Sequence, residues 1–251
     1  MPLYKEQGVV LRSAKLGEAD KIVTVLTQGS GKVRAVAKGI RKTTSRFGGR
    51  LEPFTHVSLL VYRGRGALDT ITQADIISSH RPLRDDLGLF AAGETMLEAA
   101  DKVAEEHERN VRLFLLLLSG LRALSTRPAE PTAVAESFLL KLLSLSGFHP
   151  SLTACAVCGA VGPELFSSGQ GGAVCSGCAE IDAGPASRAA LQYLADLATT
   201  DLGLIGNEPP REIVVHKEAR ALLYGFAEYH LERRMRSLPM LARGMSGSLV
   251  P

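Results

Sequence analysis

Four cysteines, arranged as two close pairs, constrain the fold of this 251-residue chain more than any other feature. Cys155 and Cys158 form the first pair, Cys175 and Cys178 form the second, and sixteen residues separate the pairs. A Cys-x-x-Cys turn presents two thiolates to one ion, and two such turns about 15–20 residues apart complete a tetrahedral four-thiolate site. The spacing predicts one zinc ion with a structural role, because four cysteine ligands leave no open position for water or substrate.

The spacing gives less support to two other interpretations of the cysteines, a redox dithiol and a set of buried free thiols. A redox motif needs only one pair, so the second pair favours a metal. Residues 152–180 contain few apolar side chains, and the metal is expected to supply the folding energy of this segment. Gly159 and Gly177 are expected to allow tight turns at positive φ. His149 is close in sequence but is not required as a ligand.

The positive charge of the chain is concentrated at its front. Residues 1–80 contain 13 Lys and Arg and 6 Asp and Glu, a net charge of +7, whereas the remaining residues carry 16 basic and 20 acidic side chains. Residues 32–50 contain seven cations and no carboxylate: Lys32, Arg34, Lys38, Arg41, Lys42, Arg46 and Arg50. Such a segment predicts contact with nucleic-acid phosphates. Phe47 is predicted to stack on a base, with a place in the core as the alternative.

The first eighty residues read as short strands joined by glycine-rich turns. The strands are predicted at 20–27, 32–38, 55–62 and 68–77, within a total of about five. In 32–38, basic and small apolar residues alternate, which puts the cations on one face and the apolar groups on the other. This pattern is typical of a small antiparallel barrel such as the OB-fold. Val33, Phe54 and Tyr62 are expected to point into the barrel.

A helical period replaces the strand pattern after Pro82. The predicted helices are Leu87–Ala104, Val111–Leu124, Pro131–Gly147, one that Pro185 opens, and Lys217–Arg236. The fold class is therefore multidomain α+β: an OB-fold barrel over 1–80, then a helical bundle over 81–251 with a zinc-binding segment, 152–180, inserted. The glycine- and serine-rich tail, 243–251, is expected to be mobile.

Sequence motifs for catalysis are missing. Gly29-Ser30-Gly31-Lys32 lacks the first glycine and the final hydroxyl of a phosphate-binding loop, since Leu26 and Val33 stand there. The acidic pairs Asp85-Asp86 and Glu105-Glu106 are expected to be solvated. The chain is therefore interpreted as a binding protein without enzymatic activity and without a nucleotide cofactor. It has no apolar stretch of the ~20 residues a membrane span requires and no signal core, and its clustered thiols favour a cytoplasmic, nucleoid-associated protein.

Several blocks of sequence resemble the RecO family of bacterial recombination mediators. They are Gly17-Glu-Ala-Asp-Lys-Ile-Val23, Ala35-Val-Ala-Lys-Gly39, Ser45-Arg-Phe-Gly-Gly49, Leu51-Glu-Pro-Phe54 and Phe138-Leu-Leu-Lys-Leu-Leu-Ser-Leu-Ser-Gly-Phe148-His-Pro150. The resemblance implies an OB-fold, a helical domain and a role in repairing DNA gaps and breaks. It also implies binding to single- and double-stranded DNA and annealing of complementary strands. RecR, single-strand-binding protein and, indirectly, RecA are the implied partners, with RecA loaded onto DNA that single-strand-binding protein covers.

The sequence leaves the position of the partner site and the class of nucleic acid open. An acidic peptide tail of single-strand-binding protein would need a pocket rimmed by cations, and Arg220, Arg233, Arg234 and Arg236 are candidates for that rim. An RNA-binding factor of transcription or translation, with an OB barrel and a zinc ribbon, is the alternative function. A zinc hydrolase or base-modifying enzyme is a third class, but it would require an open metal position.

Overall fold

A closed five-stranded barrel forms the front of the molecule. The computed structural model describes residues 3–64, 66–206, 212–232 and 234–243. The barrel strands are β1 (Leu3–Leu16), β2 (Asp20–Thr27), β3 (Gly31–Ala37), β4 (His56–Tyr62) and β5 (Asp69–Ser78), with a short 3-10 helix at Gly48–Leu51. Their order is β1-β2-β3-β5-β4, and β4 closes the barrel against β1. All pairs are antiparallel except β3 and β5. The predicted OB-like barrel is confirmed.

The side chains of β3 alternate between the barrel core and the outside of the barrel, as the sequence predicts. Val33 is 2% exposed and lies in the barrel core, whereas Lys32 and Arg34 point away from it. Phe54 is also buried, as expected. Tyr62 is the exception, because it is 39% exposed. In β4 the inward positions are Val57, Leu59 and Val61, so the next residue faces outward at the strand end.

Seven helices follow in the described part of the chain. They are α1 (Pro82–Asp85), α2 (Leu87–Val103), α3 (Val111–Ser125), α4 (Pro131–Leu145), α5 (Arg188–Thr199), α6 (Ile213–His230) and α7 (Leu238–Arg243). Two predicted helices are corrected. Pro185 lies in a strand, and α5 begins after Ser187, whose hydroxyl accepts a hydrogen bond from the Ala190 amide. The predicted helix Lys217–Arg236 begins earlier, ends at His230 and is followed by a separate helix, α7.

Part of the barrel belongs to the apolar core of the helices, whereas the barrel interior forms a second apolar core. Val9, Leu11 and Leu26 of the barrel strands belong to the same buried cluster as the helical leucines. Phe54 packs edge-on against Phe90 of α2, with ring centroids 5.6 Å apart. This continuous packing holds the barrel against the helices. None of the helices in the described residues is both long enough and apolar enough to cross a bilayer.

The cysteine segment builds a small sheet that docks on the helices. Its strands are β6 (Leu165–Ser167), β7 (Gly172–Val174) and β8 (Gly184–Pro185), in the order β7-β6-β8, so the sheet extends past the predicted end at residue 180. Phe166 lies edge-on to Phe226 of α6, with centroids 5.9 Å apart, and Ala173 joins the helical core. Packing against the helices therefore stabilises this segment more than its composition suggests. The tail 244–251 lies outside the described residues.

Candidate nucleic-acid interface and metal centre

The four cysteines meet at one point of the small sheet. The sulfur atoms of Cys155, Cys158, Cys175 and Cys178 all lie within 4.8 Å of one another. The Cys158 and Cys175 sulfurs are 3.8 Å apart. Thiolates bound to zinc at about 2.3 Å at the corners of a tetrahedron would be about 3.8 Å apart, so the cluster has the size that such an ion requires. The four cysteines could hold one metal ion.

The pKa values of the thiols also fit a site that binds a cation. Backbone N–H groups of Cys158 and then Cys175 donate to the Cys155 sulfur and lower the pKa of this thiol to about 6. Hydrogen bonds from Cys178 to Cys158 and Cys175 raise the pKa of the Cys178 thiol to about 12. Four thiols this close cannot all ionise without a cation to balance their charge.

Backbone hydrogen bonds shape the two cysteine turns. Gly159 has φ +76 and its amide donates to the Cys155 carbonyl, as a tight turn requires. Gly177, expected to be similar, is not at positive φ, so that expectation is wrong. In the second turn the Gln170 side chain donates to the Cys178 carbonyl at 2.9 Å. His149 hydrogen-bonds Ser144 instead of joining the cysteines.

Five of the predicted cations lie together on the loop between β3 and β4, residues 38–55. We call them the loop cations: Lys38, Arg41, Lys42, Arg46 and Arg50. The first four are exposed and Arg50 is half-buried. None of the five forms an ion pair with a described carboxylate. Their positive charge therefore remains available to an external anion.

Buried side chains fix this loop to the barrel. Ile40, Phe47 and Leu51 are 8%, 1% and 0% exposed and belong to the barrel core. The prediction that Phe47 stacks on a base is therefore corrected: its ring lies inside the barrel, and the alternative of a core residue is the one observed. Arg46 covers this ring, with its guanidinium carbon 5.1 Å from the centroid. An apolar anchor beneath a cationic loop holds the cations at a defined place.

The loop also contacts the hairpin between β1 and β2. The Arg41 amide donates to the Ala19 carbonyl at 3.0 Å, and its guanidinium donates to the Gly17 carbonyl at 3.1 Å. The Gly39 amide donates to the Asp20 carboxylate at 2.7 Å. The sequence did not indicate that this hairpin brings the exposed Lys15 toward the same end of the barrel. Only the register of β1 with β2 shows it.

Lys32 and Arg34 have different surroundings from the loop cations. The Lys32 ammonium is 3.3 Å from the Asp101 carboxylate and donates to the Asp101 carbonyl, and its side chain is 15% exposed. Arg34 lies 3.5 Å from Glu106. Glu106 is exposed, as expected, and it forms this ion pair in addition. The structure brings five of the seven predicted cations together and pairs the other two with acids.

The candidate rim for an acidic peptide is not assembled. Arg220 is 9% exposed, and its Nε donates to Glu136 at 2.7 Å, so it cannot line an exposed pocket. Arg233 lies outside the described residues. Arg234 and Arg236 are exposed, and Arg236 lines a cleft of about 720 Å³ between the barrel and α2. The charge of that cleft is mixed, because its lining contains three acids, Glu94, Glu98 and Asp101, and four cations, Arg12, Lys32, Lys102 and Arg236.

Comparison with known proteins gives the family. A family model described as "Recombination protein O N terminal" matches residues 1–80, and one described as "Recombination protein O C terminal" matches residues 84–239. The chain belongs to the RecO family. The protein named DNA repair protein RecO of Frankia casuarinae is 46% identical over 248 residues, covering 97% of this chain and all of that relative. Its namesake in Nocardioides sp. is 43% identical over 250 residues, covering 96% of this chain and all of that relative.

A third relative shows the same full-length similarity to this RecO-family chain. The protein of the same name in Streptomyces coelicolor is 41% identical over 247 residues, covering 95% of this chain and 98% of that relative. The likeness therefore includes the barrel, the helices and the cysteine segment together.

Proposed function

We propose that this chain is a recombination mediator in DNA repair that binds single- and double-stranded DNA through the loop cations and anneals complementary strands. One observation carries the proposal: five cations, free of described carboxylates, are fixed on one loop of an OB-like barrel. The names of the relatives support the assignment to DNA repair. We further propose, from family membership, that the chain works with RecR to load RecA on DNA covered by single-strand-binding protein.

Electrostatics explains how such a surface would anneal strands without nucleotide hydrolysis. Two DNA strands are polyanions and repel each other, and a cationic surface reduces this repulsion while releasing condensed counterions. Phosphate contacts carry no sequence information, so complementary pairing alone would select the partner strand. On this proposal residues 1–80 are the nucleic-acid-binding domain, residues 81–251 support it, and no bond is made or broken.

The test is charge reversal on the loop. The variant Arg41→Glu/Lys42→Glu/Arg46→Glu should lose three phosphate contacts, so its log-affinity versus log-salt slope for single-stranded DNA should flatten by about 2. Its affinity at 0.1 M salt should fall about 10- to 100-fold. Fluorescence anisotropy with labelled oligonucleotides measures both, and the annealing rate of complementary strands should fall in parallel.

The matched control reverses three exposed cations of the helical part, Arg112→Glu/Arg188→Glu/Lys217→Glu, with the same change in net charge. Equal effects of the two variants would overturn the assignment of the loop as the contact surface. Competition between RNA and DNA of equal length tests the alternative of an RNA-binding factor, because RNA preference requires contacts to the 2′-hydroxyl. Tighter binding to RNA would favour that alternative.

We also propose that the cysteine cluster holds one structural zinc ion. The metal would tie together the two turns at Cys155 and Cys175, and it would bind no substrate, since four thiolates complete its coordination. Elemental analysis should find one zinc per chain, and Cys158→Ser/Cys175→Ser should lose it. The variant should lose the structure of the cysteine segment, seen as loss of amide protection there, while the barrel keeps its DNA affinity. A protein purified without zinc would refute the proposal.

A further inference from the structure

The end of α2 and the acidic stretch that follows it occupy part of the barrel edge, with Asp101 in the last turn of the helix. We call residues 101–108 the acidic segment; it contains Asp101, Glu105, Glu106 and Glu108. The Lys32 amide donates to the Glu105 carbonyl at 3.2 Å, and the His107 amide donates to the Lys32 carbonyl at 3.0 Å. Lys32 and Glu106 are thus paired as in a parallel sheet. The later half of the same β3 edge, at Ala35 and Val36, pairs with β5.

The fit between this segment and the start of β3 is close. A Cβ placed on Gly31 would lie 1.9 Å from the Glu108 carbonyl oxygen, and Gly31 has φ +67. Only glycine permits both the approach and the backbone conformation. His107 also has a positive φ, +62, which is uncommon for a residue with a side chain. The segment is therefore seated on the strand at a specific position.

The carboxylates of the segment neutralise three cations: the two predicted ones that the loop does not carry, and Arg12 of β1. Asp101 contacts Lys32 at 3.3 Å and Arg12 at 2.7 Å, and Glu106 contacts Arg34 at 3.5 Å. Lys32 is covered in this arrangement, with a side chain 15% exposed. Lys32 also lines the cleft between the barrel and α2, so a phosphate that enters this cleft has to compete with Asp101 for the ammonium group.

We propose that the acidic segment is an internal competitor for DNA: it occupies the edge of β3 and neutralises Arg12, Lys32 and Arg34 until DNA displaces it. This inference rests on the proposed function, because it assumes that DNA binds the barrel through the loop cations. DNA captured by the loop cations would be held beside β3, where its phosphates compete with the carboxylates of the segment. The bound DNA then gains three cations that the free protein keeps paired.

Displacement is compatible with the rest of the fold. Residues 104–110 connect α2 and α3 without helical structure, so this connection can leave β3 without unwinding either helix. Asp101 lies in the last turn of α2, and there only its side chain has to leave Lys32. The side chains of Glu105, Glu106 and Glu108 are already exposed, and two backbone hydrogen bonds hold the segment to β3. A polyanion that releases counterions on binding can replace the Arg34–Glu106 pair, because exposed ion pairs contribute little. The Lys32–Asp101 pair is less exposed, and there the phosphates compete directly with the carboxylate.

The first experiment removes the competing charges. Asp101→Asn/Glu106→Gln leaves Lys32, Arg34 and Arg12 without these acidic partners, so binding to single-stranded DNA should become about 2- to 10-fold tighter at 0.1 M salt. The salt slope should steepen by up to about 2, the contribution of three further phosphate contacts. The control Glu164→Gln/Glu180→Gln removes two exposed carboxylates of the cysteine segment and changes the net charge equally. Circular dichroism checks that each variant is folded.

The second experiment uses the unmodified chain and hydrogen exchange. The His107 amide is bonded to the Lys32 carbonyl in the free protein. Its exchange should become at least several-fold faster when single-stranded DNA saturates the protein, because displacement breaks this bond. Unchanged or slower exchange at His107 would overturn the inference, even if the charge-removal variant failed to fold.

The outcomes separate the two proposals. If reversal of the loop cations weakens binding, but removal of the Asp101 and Glu106 charges has no more effect than its control, the proposed function stands and the internal competitor is refuted. If reversal of the loop cations leaves binding unchanged, the proposed function fails first. Tighter binding, a steeper slope and faster His107 exchange together would establish displacement.

Discussion

The buried ion pair between α4 and α6 gives the sharpest test of the packing in the helical part. Glu136 is 2% exposed and Arg220 is 9% exposed, and the Arg220 Nε lies 2.7 Å from the Glu136 carboxylate. Burial raises the pKa of Glu136, and the positive charge of Arg220 opposes this rise. The substitution Arg220→Met removes the opposing charge and leaves a buried carboxylate that is supported by its hydrogen bond with Tyr193 alone.

The expected cost of Arg220→Met is large because the remaining charge has no solvent. Breaking a buried pair from one side costs about 3–5 kcal/mol in the free energy of unfolding. The double variant Glu136→Leu/Arg220→Met should recover most of this loss, because two apolar groups of similar volume need no partner. The coupling between the two positions should therefore exceed about 2 kcal/mol.

The loss should also depend on pH with a definite sign. Without Arg220, the folded-state pKa of Glu136 lies still further above its unfolded value, so the folded state binds the proton more tightly. Below the unfolded pKa both states are protonated and the penalty disappears, whereas it grows as the pH rises toward the folded pKa. Arg220→Met should thus be most destabilised at pH 7–8 and less so near pH 5.

Urea unfolding followed by far-UV circular dichroism at pH 5 and pH 8 measures these quantities. The zinc content of each sample should be matched, since metal loss would change the cooperativity of unfolding. A loss below about 1 kcal/mol at pH 8, or a loss equal at both pH values, would refute the reasoning from burial.

Two further predictions concern the junction of the barrel and the helices. Burial lowers the pKa of His80 to about 4 from its usual 6.5, and the charges of His56, Arg122 and Arg84 make smaller contributions. The stability that neutral His80 contributes is therefore present above pH 6.5 and is lost as the pH falls toward 4. Urea unfolding at pH 7 and pH 4.5 should show about 2 kcal/mol less acid destabilisation in His80→Asn than in the unmodified chain, and an identical pH profile would contradict this. Gly31→Ala should cost about 2–5 kcal/mol in thermal unfolding, because it adds strain at positive φ and a clash with the acidic segment. Its control, Gly225→Ala on α6, meets no atom within 4 Å and should be neutral or stabilising.

Prediction from the sequence was most successful where a short stretch of chain carries the whole signal. The strand 20–27 was predicted with the bounds that β2 has, and α3 begins at Val111 as expected. Val33 faces the barrel core because a strand alternates its side chains whatever surrounds it. Helix ends were less accurate, since capping by Ser187 and the break after His230 depend on local hydrogen bonds that the apolar period does not reveal.

The family was also accessible from the sequence, because its motifs are blocks of consecutive residues. The individual roles of the residues in the basic stretch 32–50 could not be predicted from the sequence. Phe47 was expected to stack on a base or to lie in the core, and only the structure showed that it lies in the core. Lys32 and Arg34 were grouped with the loop cations but are paired with acids. Arg220 was expected on an exposed rim and is buried beside Glu136.

The sequence by itself determined the two cysteine turns, the strand alternation and the excess of positive charge in residues 32–50, because each depends on spacing along a covalent chain. Only the tertiary structure decided which of those charges remain free. Lys32 meets Asp101, sixty-nine residues away, and Arg220 meets Glu136, eighty-four residues away. The partner of a charge is set by contacts between elements that are distant in the chain, and the spacing of neighbouring residues does not reveal those contacts.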